Sequence, residues 1–340
     1  MGEHLRRAVV VGLVASVALA ACTSRGGVDQ RPRLPPAHWV KSLHLPGVVD
    51  IGPRGDGTLV VAAAGRLFIL RRPGMLTAFA RGPGGYSTRQ GPEPYLTVAG
   101  NDRVAASRCS FHSGTIFALQ PGSHPGVVMI GPDGRARRFA SLAAAMPTGI
   151  AFDATGHFGH RLLVTTRNAP GSSVLAIDCA GRIKVITDHA PAVEGGITVA
   201  PASFGRFAGD LIAPDERTGR IYAIPPDGAV ALLAASGLPH GGDIGVESAG
   251  FVPPGFGTGD AAFLADRFSR GNRHPGTNSV LRLPGSELIK AGVRPGDLLV
   301  ANEASARTIV VRCIGACTVR YVAAGPAVTH AEGHIAFARF

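Results

Sequence analysis

Glutamate recurs at one place in a repeated phrase. EPYLTVA (93–99), EGGITVA (194–200), ESAGFVP (247–253) and EGHIAFA (332–338) each open on a glutamate, and PTGIAFD (147–153) shares their body without it. Asp215, Asp266 and Asn302 each close an apolar run. If every opening starts an inner strand at the same end, Glu93, Glu194, Glu247 and Glu332 gather around one opening. Asp215, Asp266 and Asn302 then stand beside them, with Arg167 and His334 close by. A ring of carboxylates and an amide suits a hard cation, since Ca²⁺ takes six to eight oxygen ligands. The same residues also have a purely structural reading. A glutamate at a strand start caps backbone N–H groups, an aspartate at a strand end folds onto its own turn, and arginines neutralise the ring without a metal.

What must position these residues is a succession of short strands. Gly 47 and Pro 26 punctuate a chain that is only 17% charged, and no long helical pattern interrupts it. Six stretches read as strand, tight turn, strand: 59–70, 103–119, 162–177, 211–224, 263–283 and 298–311. Several run on through an Asp-Gly type of turn into a further strand, as at Pro226-Asp227-Gly228. The openings at 93, 147, 194 and 247 are roughly fifty residues apart, the period of a four-stranded propeller blade. A lone blade cannot bury both faces of its sheet, so several stack around an axis. Six hairpins predict an all-β fold, a six-bladed β-propeller of four-stranded antiparallel blades over 37–340. In such a blade the start of the innermost strand and the second turn share a face, which is why the glutamates and the Asp/Asn set are expected together.

PTGIAFDATGH, RLLVTTRN, SSVLAID and LIAPDERTGRIYAI resemble blades of the NHL and SMP-30/gluconolactonase-type six-bladed propellers. The resemblance covers roughly 90–340 and is one of blades, not of any enzyme subgroup. It implies a Ca²⁺ in the channel, held by Glu, Asn and Asp, acting as a Lewis acid on a lactone or ester carbonyl, with His334 or a carboxylate as the candidate base. The sixth blade departs from the pattern: ELIKAGVRPG (287–296) stands where its inner strand is expected, and the strand at 334–340 is the candidate to close the ring. GGITVAPASFGRFAGDLIAP (195–214) is faintly similar to a late blade of quinone-dependent sugar dehydrogenases, without their His and Arg set for the quinone.

The N-terminus reads as an export signal. Arg6 and Arg7 precede the uncharged stretch Ala8 to Ala21, shorter than the ~18–20 residues of a spanning helix and typical of a signal peptide. Leu19-Ala20-Ala21-Cys22 resembles a lipobox, which implies cleavage after residue 21 and diacylglycerol on Cys22. Residues 22–36, rich in Gly, Pro and Arg, then form a flexible tether between the membrane and the domain. Lipid-anchored exposure on the extracytoplasmic face of the cell membrane follows.

Four cysteines remain, an even number that predicts disulfides in an exported protein. Cys313 and Cys317 flank a tight turn and are expected to bridge. Cys109 and Cys179 fall in turns at opposite faces, so either they stay unpaired or the register there differs. The net charge of +11 becomes +10 without residues 1–21 and is almost all arginine. The arginines are scattered without interleaved aromatics, which argues against nucleic acid as a partner. No G-x-S-x-G elbow, H-E-x-x-H, P-loop or dinucleotide fingerprint occurs. The functional expectation is therefore a membrane-tethered propeller that binds an unidentified ligand or protein partner or acts as a scaffold. A Ca²⁺-dependent lactonase or esterase is the alternative, and a quinone-dependent sugar dehydrogenase the second.

Overall fold

A computed structural model describes residues 36–340 except 73, 89–92 and 143–144. The signal peptide, Cys22 and nearly all of the tether lie outside the described residues. The rest is an all-β propeller. Four of its sheets are four-stranded and antiparallel, each led by an inner strand: β1 (Val48–Pro53), β2 (Leu96–Val98), β3 (Met146–Phe152) and β4 (Thr198–Val199). A nine-stranded sheet completes the domain and contains β5 (Val246–Phe251) beside β6 (Ala331–Arg339), joined by one parallel bridge between Ala249 and His334. β6 packs on β1, and each later inner strand packs on the next, back to β6.

The strands form where apolar runs are bounded by turn residues, and stacking explains why those runs are apolar throughout. Leu59 to Ala63 and Leu298 to Asn302 are buried at every position, because both faces of each sheet meet a neighbour. One interface joins Val60, Ile69 and Tyr86 of the first sheet to Leu96, Ile116 and Ile130 of the second. Each such side chain contributes roughly 1.5–3 kcal/mol by leaving water, which a single sheet could not collect on both faces.

Five of the six expected hairpins stand as read: 59–70, 162–177, 211–224, 263–283 and 298–311. The stretch 103–119 does not. Its first part folds into a small hairpin, Arg103–Val104 with Cys109–Ser110, outside the main sheet. The second blade instead uses Ile116–Gln120 and Gly126–Ile130. The end of the chain is also rearranged. β5 skips the hairpin that follows it and pairs with Leu298–Asn302, while the skipped hairpin, Asp260–Asp266 with Ser279–Pro284, takes β6 as its inner strand. Val40–His44 is that array's outer strand. Residues 287–296 form no strand. Gly285–Lys290 is a short helix, and Leu288 and Val293 pack into a core with Trp39.

The displaced register settles the cysteines. Cys109 lies in the connection between the first and second strands of its blade, not between the second and third. That connection shares a face with the third turn of the next blade, so Cys109 and Cys179 form a disulfide. Ser107 reinforces it by donating to Asp178 beside the bridge. Cys313 and Cys317 also pair, across the turn that joins their strands.

The two bridges close loops of very different length, with sequence separations of 70 and 4. Chain entropy then gives about 4 kcal/mol for the inter-blade bridge and about 2 for the turn bridge. Replacing Cys109 and Cys179 together by Ser is expected to lower the denaturation midpoint about twice as far as replacing Cys313 and Cys317. Equal losses in chemical denaturation would refute that ranking.

Candidate functional site

The inner strands meet so closely that glycine is required where they enter the axis. A Cβ on Gly195 (φ +76°) would stand 2.2 Å from the Glu247 side chain, and one on Gly333 (φ +68°) would meet Asp50 at 2.3 Å. The chain converges there on an acidic centre. At β5 a bulge between Val246 and Ser248 leaves Glu247 out of the ladder, and a bulge re-aims a side chain in this way. Glu332 enters from the start of β6, and Tyr95 from just before β2. All three are buried, at 4%, 1% and 0% exposure.

The Tyr95 hydroxyl bonds both Glu332 Oε2, at 2.8 Å, and Glu247 Oε1. One proton cannot serve two carboxylates. Burial, followed by the charge of Glu332 and other glutamates, pushes the Glu247 carboxyl well above its usual range, so it holds its own proton. Arg267 Nη1 donates to Glu93 Oε1 at 2.8 Å and to Glu332 Oε1 at 2.9 Å. Arg167 pairs with Glu194. Thus the four glutamates singled out by their spacing converge as expected, with Arg167 among them.

Two more carboxylates join them. Glu216 shares a hydrogen bond with Glu194; burial and that neighbour raise Glu216 to about 7. Glu303 is 4% exposed, its Oε2 has no hydrogen-bond partner among the described residues, and burial with the charges of Glu332 and Glu216 raises it to about 10. His330, 3% exposed, places Nε2 3.4 Å from both Glu303 Oε1 and Glu332 Oε1, while its Nδ1 has no hydrogen-bond partner among the described residues. Burial opposes ionisation of Glu332, but His330, Arg267 and Tyr95 outweigh it and hold this carboxyl below the usual range. Six carboxylates therefore face two guanidinium groups and one imidazole. Such an excess of buried negative charge must be met by protons or by a cation.

Asp215, Asp266 and Asn302 do not reach this centre. Asp215 accepts from Arg217 and Thr218 N–H, Asp266 from Thr277 and His330 N–H, and Asn302 Oδ1 from Arg307 N–H. The structural reading holds for these three. The residue after each one, Glu216, Arg267 and Glu303, is what enters the centre. Adjacency was the available signal, and a shift of one position in a strand changes the side on which a side chain lies. Tyr95 and His330 were not anticipated at all.

His334 lies one layer deeper. Asp50, fully buried, accepts N–H bonds from Ile51 (2.8 Å), Leu96 (2.7 Å) and His334 (2.7 Å), so it ties β1, β2 and β6 together. His334 Nδ1 is 3.0 Å from both Asp50 oxygens, and Nε2 is 2.9 Å from the Ile150 carbonyl. The Ile150 carbonyl can only accept, so Nε2 carries a proton, and the Asp50 carboxyl beside Nδ1 favours the charged ring. Burial disfavours that charge, but Asp50 overcomes it and raises the His334 pKa. With both nitrogens committed, His334 has no lone pair to offer as a base. Below it the channel widens into a cavity of about 360 Å³ whose wall includes Val98, Phe152, Val199, Phe251 and Phe337. The axis is thus acidic at one end and apolar at the other.

No protein-family model and no curated protein matches the sequence. Among solved structures the chain is similar to virginiamycin B lyase from Staphylococcus aureus, at 11% identity and TM-score 0.42, over 82% of this chain and 86% of that one. It is also similar to the calcium-binding protein regucalcin from Agrobacterium tumefaciens, at 13% identity and TM-score 0.40, over 69% and 74%. A gluconolactonase from Xanthomonas campestris gives 14% identity and TM-score 0.37, over 74% and 91%. What those proteins bind or act on remains a property of theirs at such low similarity.

The raised groups share one sign in stability. Between the ordinary glutamate value of 4.5 and about 7 for Glu216, or about 10 for Glu303, the folded state keeps a proton that the unfolded state has lost. Stability therefore falls as pH rises through that window. His334 adds to the fall above its ordinary 6.5, as the pH climbs through its raised value. Thermal melts in chelator are expected to give a higher Tm at pH 5 than at pH 9, with a shallower decline in Glu303→Gln. A Tm rising from pH 5 to 9 would contradict this charge assignment.

Proposed function

We propose that this chain is a lipid-anchored, extracytoplasmic ligand-binding protein, a six-bladed propeller whose acidic centre takes a divalent cation. The blade count treats the nine-stranded sheet as two blades, one led by β5 and one by β6. The lipobox-like Leu19 to Cys22 supports the anchor, with Cys22 as the acylated residue.

The observation that carries the cation is the geometry of Glu303, His330 and Glu332, whose donor atoms all lie within 4.8 Å of one another. The two 3.4 Å contacts of His330 Nε2 are longer than good hydrogen bonds. A tetrahedral ion with bonds of 2.0–2.1 Å has ligand-to-ligand edges of about 3.3–3.4 Å. Buried Glu303 Oε2 has no hydrogen-bond partner among the described residues. Imidazole with carboxylates favours a zinc- or manganese-class ion. The expected Ca²⁺ takes six to eight oxygens, and its alternative site is the all-carboxylate group Glu93, Glu247 and Glu332; in both groups Glu332 also accepts from Arg267.

A second reading, hydrolysis of a lactone or ester, is favoured by Glu216. It is partly exposed at the edge of the centre and raised to about 7, where a carboxylate serves best as a general base at neutral pH. The bound ion would supply carbonyl polarisation. A hydrolase of this kind is expected to lose its rise in rate near pH 7 on Glu216→Gln.

Two measurements test the main reading. After chelation, Zn²⁺ or Mn²⁺ at a hundredfold excess over Kd is expected to stabilise the fold by about 2.7 kcal/mol, and Glu303→Gln or His330→Ala to abolish the shift. A shift with Ca²⁺ alone would move the ion to Glu93, Glu247 and Glu332, and no shift with any ion would sink the cation. Separately, Cys22→Ser is expected to move the protein from the membrane to the soluble fraction, and unchanged fractionation would remove the anchor.

A further inference from the structure

Beside the acidic centre, on the far side of Arg267, lies a second cavity of about 240 Å³. Its wall is apolar where Val49, Ala62 and Phe268 contribute, and cationic where Arg66 and Arg267 do. Phe268 forms a lip, 51% exposed despite its size. Arg267 faces both sites. Its Nη1 makes both bonds to Glu93 and Glu332, while Nε and Nη2 have no acceptor among the described residues. A guanidinium edge with two free donors matches a planar carboxylate.

Tyr86 joins Thr88 as a polar residue of the wall. It is 6% exposed, and its hydroxyl has no hydrogen-bond partner among the described residues. A buried hydroxyl left unpaired costs about 1–3 kcal/mol, so the group is stabilised by any acceptor that enters. Two arginines exclude an amine as that ligand. The volume bounds its size, since a dry cavity of about 150 Å³ already accepts benzene.

We propose that this cavity is a subsite for a small aryl or alkyl carboxylate, its carboxylate on Arg267 and Tyr86 and its apolar body against Val49, Ala62 and Phe268. The subsite rests on the reading of the acidic centre as a ligand-binding site and names the chemistry of the organic ligand held next to the cation. The cation centre and the subsite share Arg267, which fixes the ligand's charged end toward the axis.

The test uses phenylacetate as probe, with 2-phenylethylamine as its cationic counterpart, in ligand-observed NMR titrations of the full domain in chelator. Phenylacetate is expected to bind and the amine not to. Tyr86→Phe is expected to weaken phenylacetate about fivefold, the value of one hydrogen bond, without lowering Tm, because its hydroxyl supports no other group. Absence of phenylacetate binding, equal binding of the amine, or unchanged affinity in Tyr86→Phe would each overturn the subsite. Because the titration contains no metal, its failure is distinct from failure of the cation, which shows as a missing metal-dependent Tm shift.

Discussion

The fold turns on one buried ion pair. Asp50 receives backbone N–H groups from three inner strands and the ring of His334, and His334 passes the linkage to β3 through the Ile150 carbonyl. These strands come from opposite ends of the chain, 284 residues apart. A propeller has no central core to hold its inner strands, so some contact must fix them at the axis. Here a charge pair does so. It satisfies backbone donors that the narrow channel would otherwise strand, each at a cost of about 1–3 kcal/mol.

The same pair separates the two ends of the axis. Above it six carboxylates crowd into a space with too few positive charges, and their pKa values diverge: Glu332 stays ionised beside Arg267 and His330, while Glu247 and Glu303 keep protons. Below it the walls are aromatic and aliphatic. An acidic centre of this kind is unstable without protons or a cation, and that instability is the basis of the proposed binding site. The loops that carry it are held by the turn-capping Asp215, Asp266 and Asn302, so the site is preorganised by residues that never touch a ligand.

The closing of the ring shows how strand exchange accommodates an irregular sequence. β5 and β6 lie side by side, each serving a hairpin that is not its nearest neighbour in the chain on the expected side. The outer strand Val40–His44 then comes from the start of the domain. Both ends of the described domain are thereby held in one array, so the stack cannot unzip from a free terminal blade.

The sequence alone determined what depends on local chemistry. The alternation of apolar runs and Gly/Pro turns specified strands, the repeated opening specified inner strands, and spacing brought Glu93, Glu194, Glu247 and Glu332 to one place. The Cys313–Cys317 bridge was equally local. Tertiary structure decided what depends on register and on partners distant in the chain. The small hairpin at 103–110 moved Cys109 to the face of Cys179. The exchange of β5 and β6 is invisible in a linear pattern, because either inner strand satisfies either hairpin. At the mouth, one-residue differences between Asp215 and Glu216, or Asn302 and Glu303, divide turn-capping from site, and a sequence period of two cannot place a residue that lies in the turn itself. The state of His334 was decided the same way: only packing supplies a partner to each ring nitrogen, and an imidazole held at both is not free to act as a base.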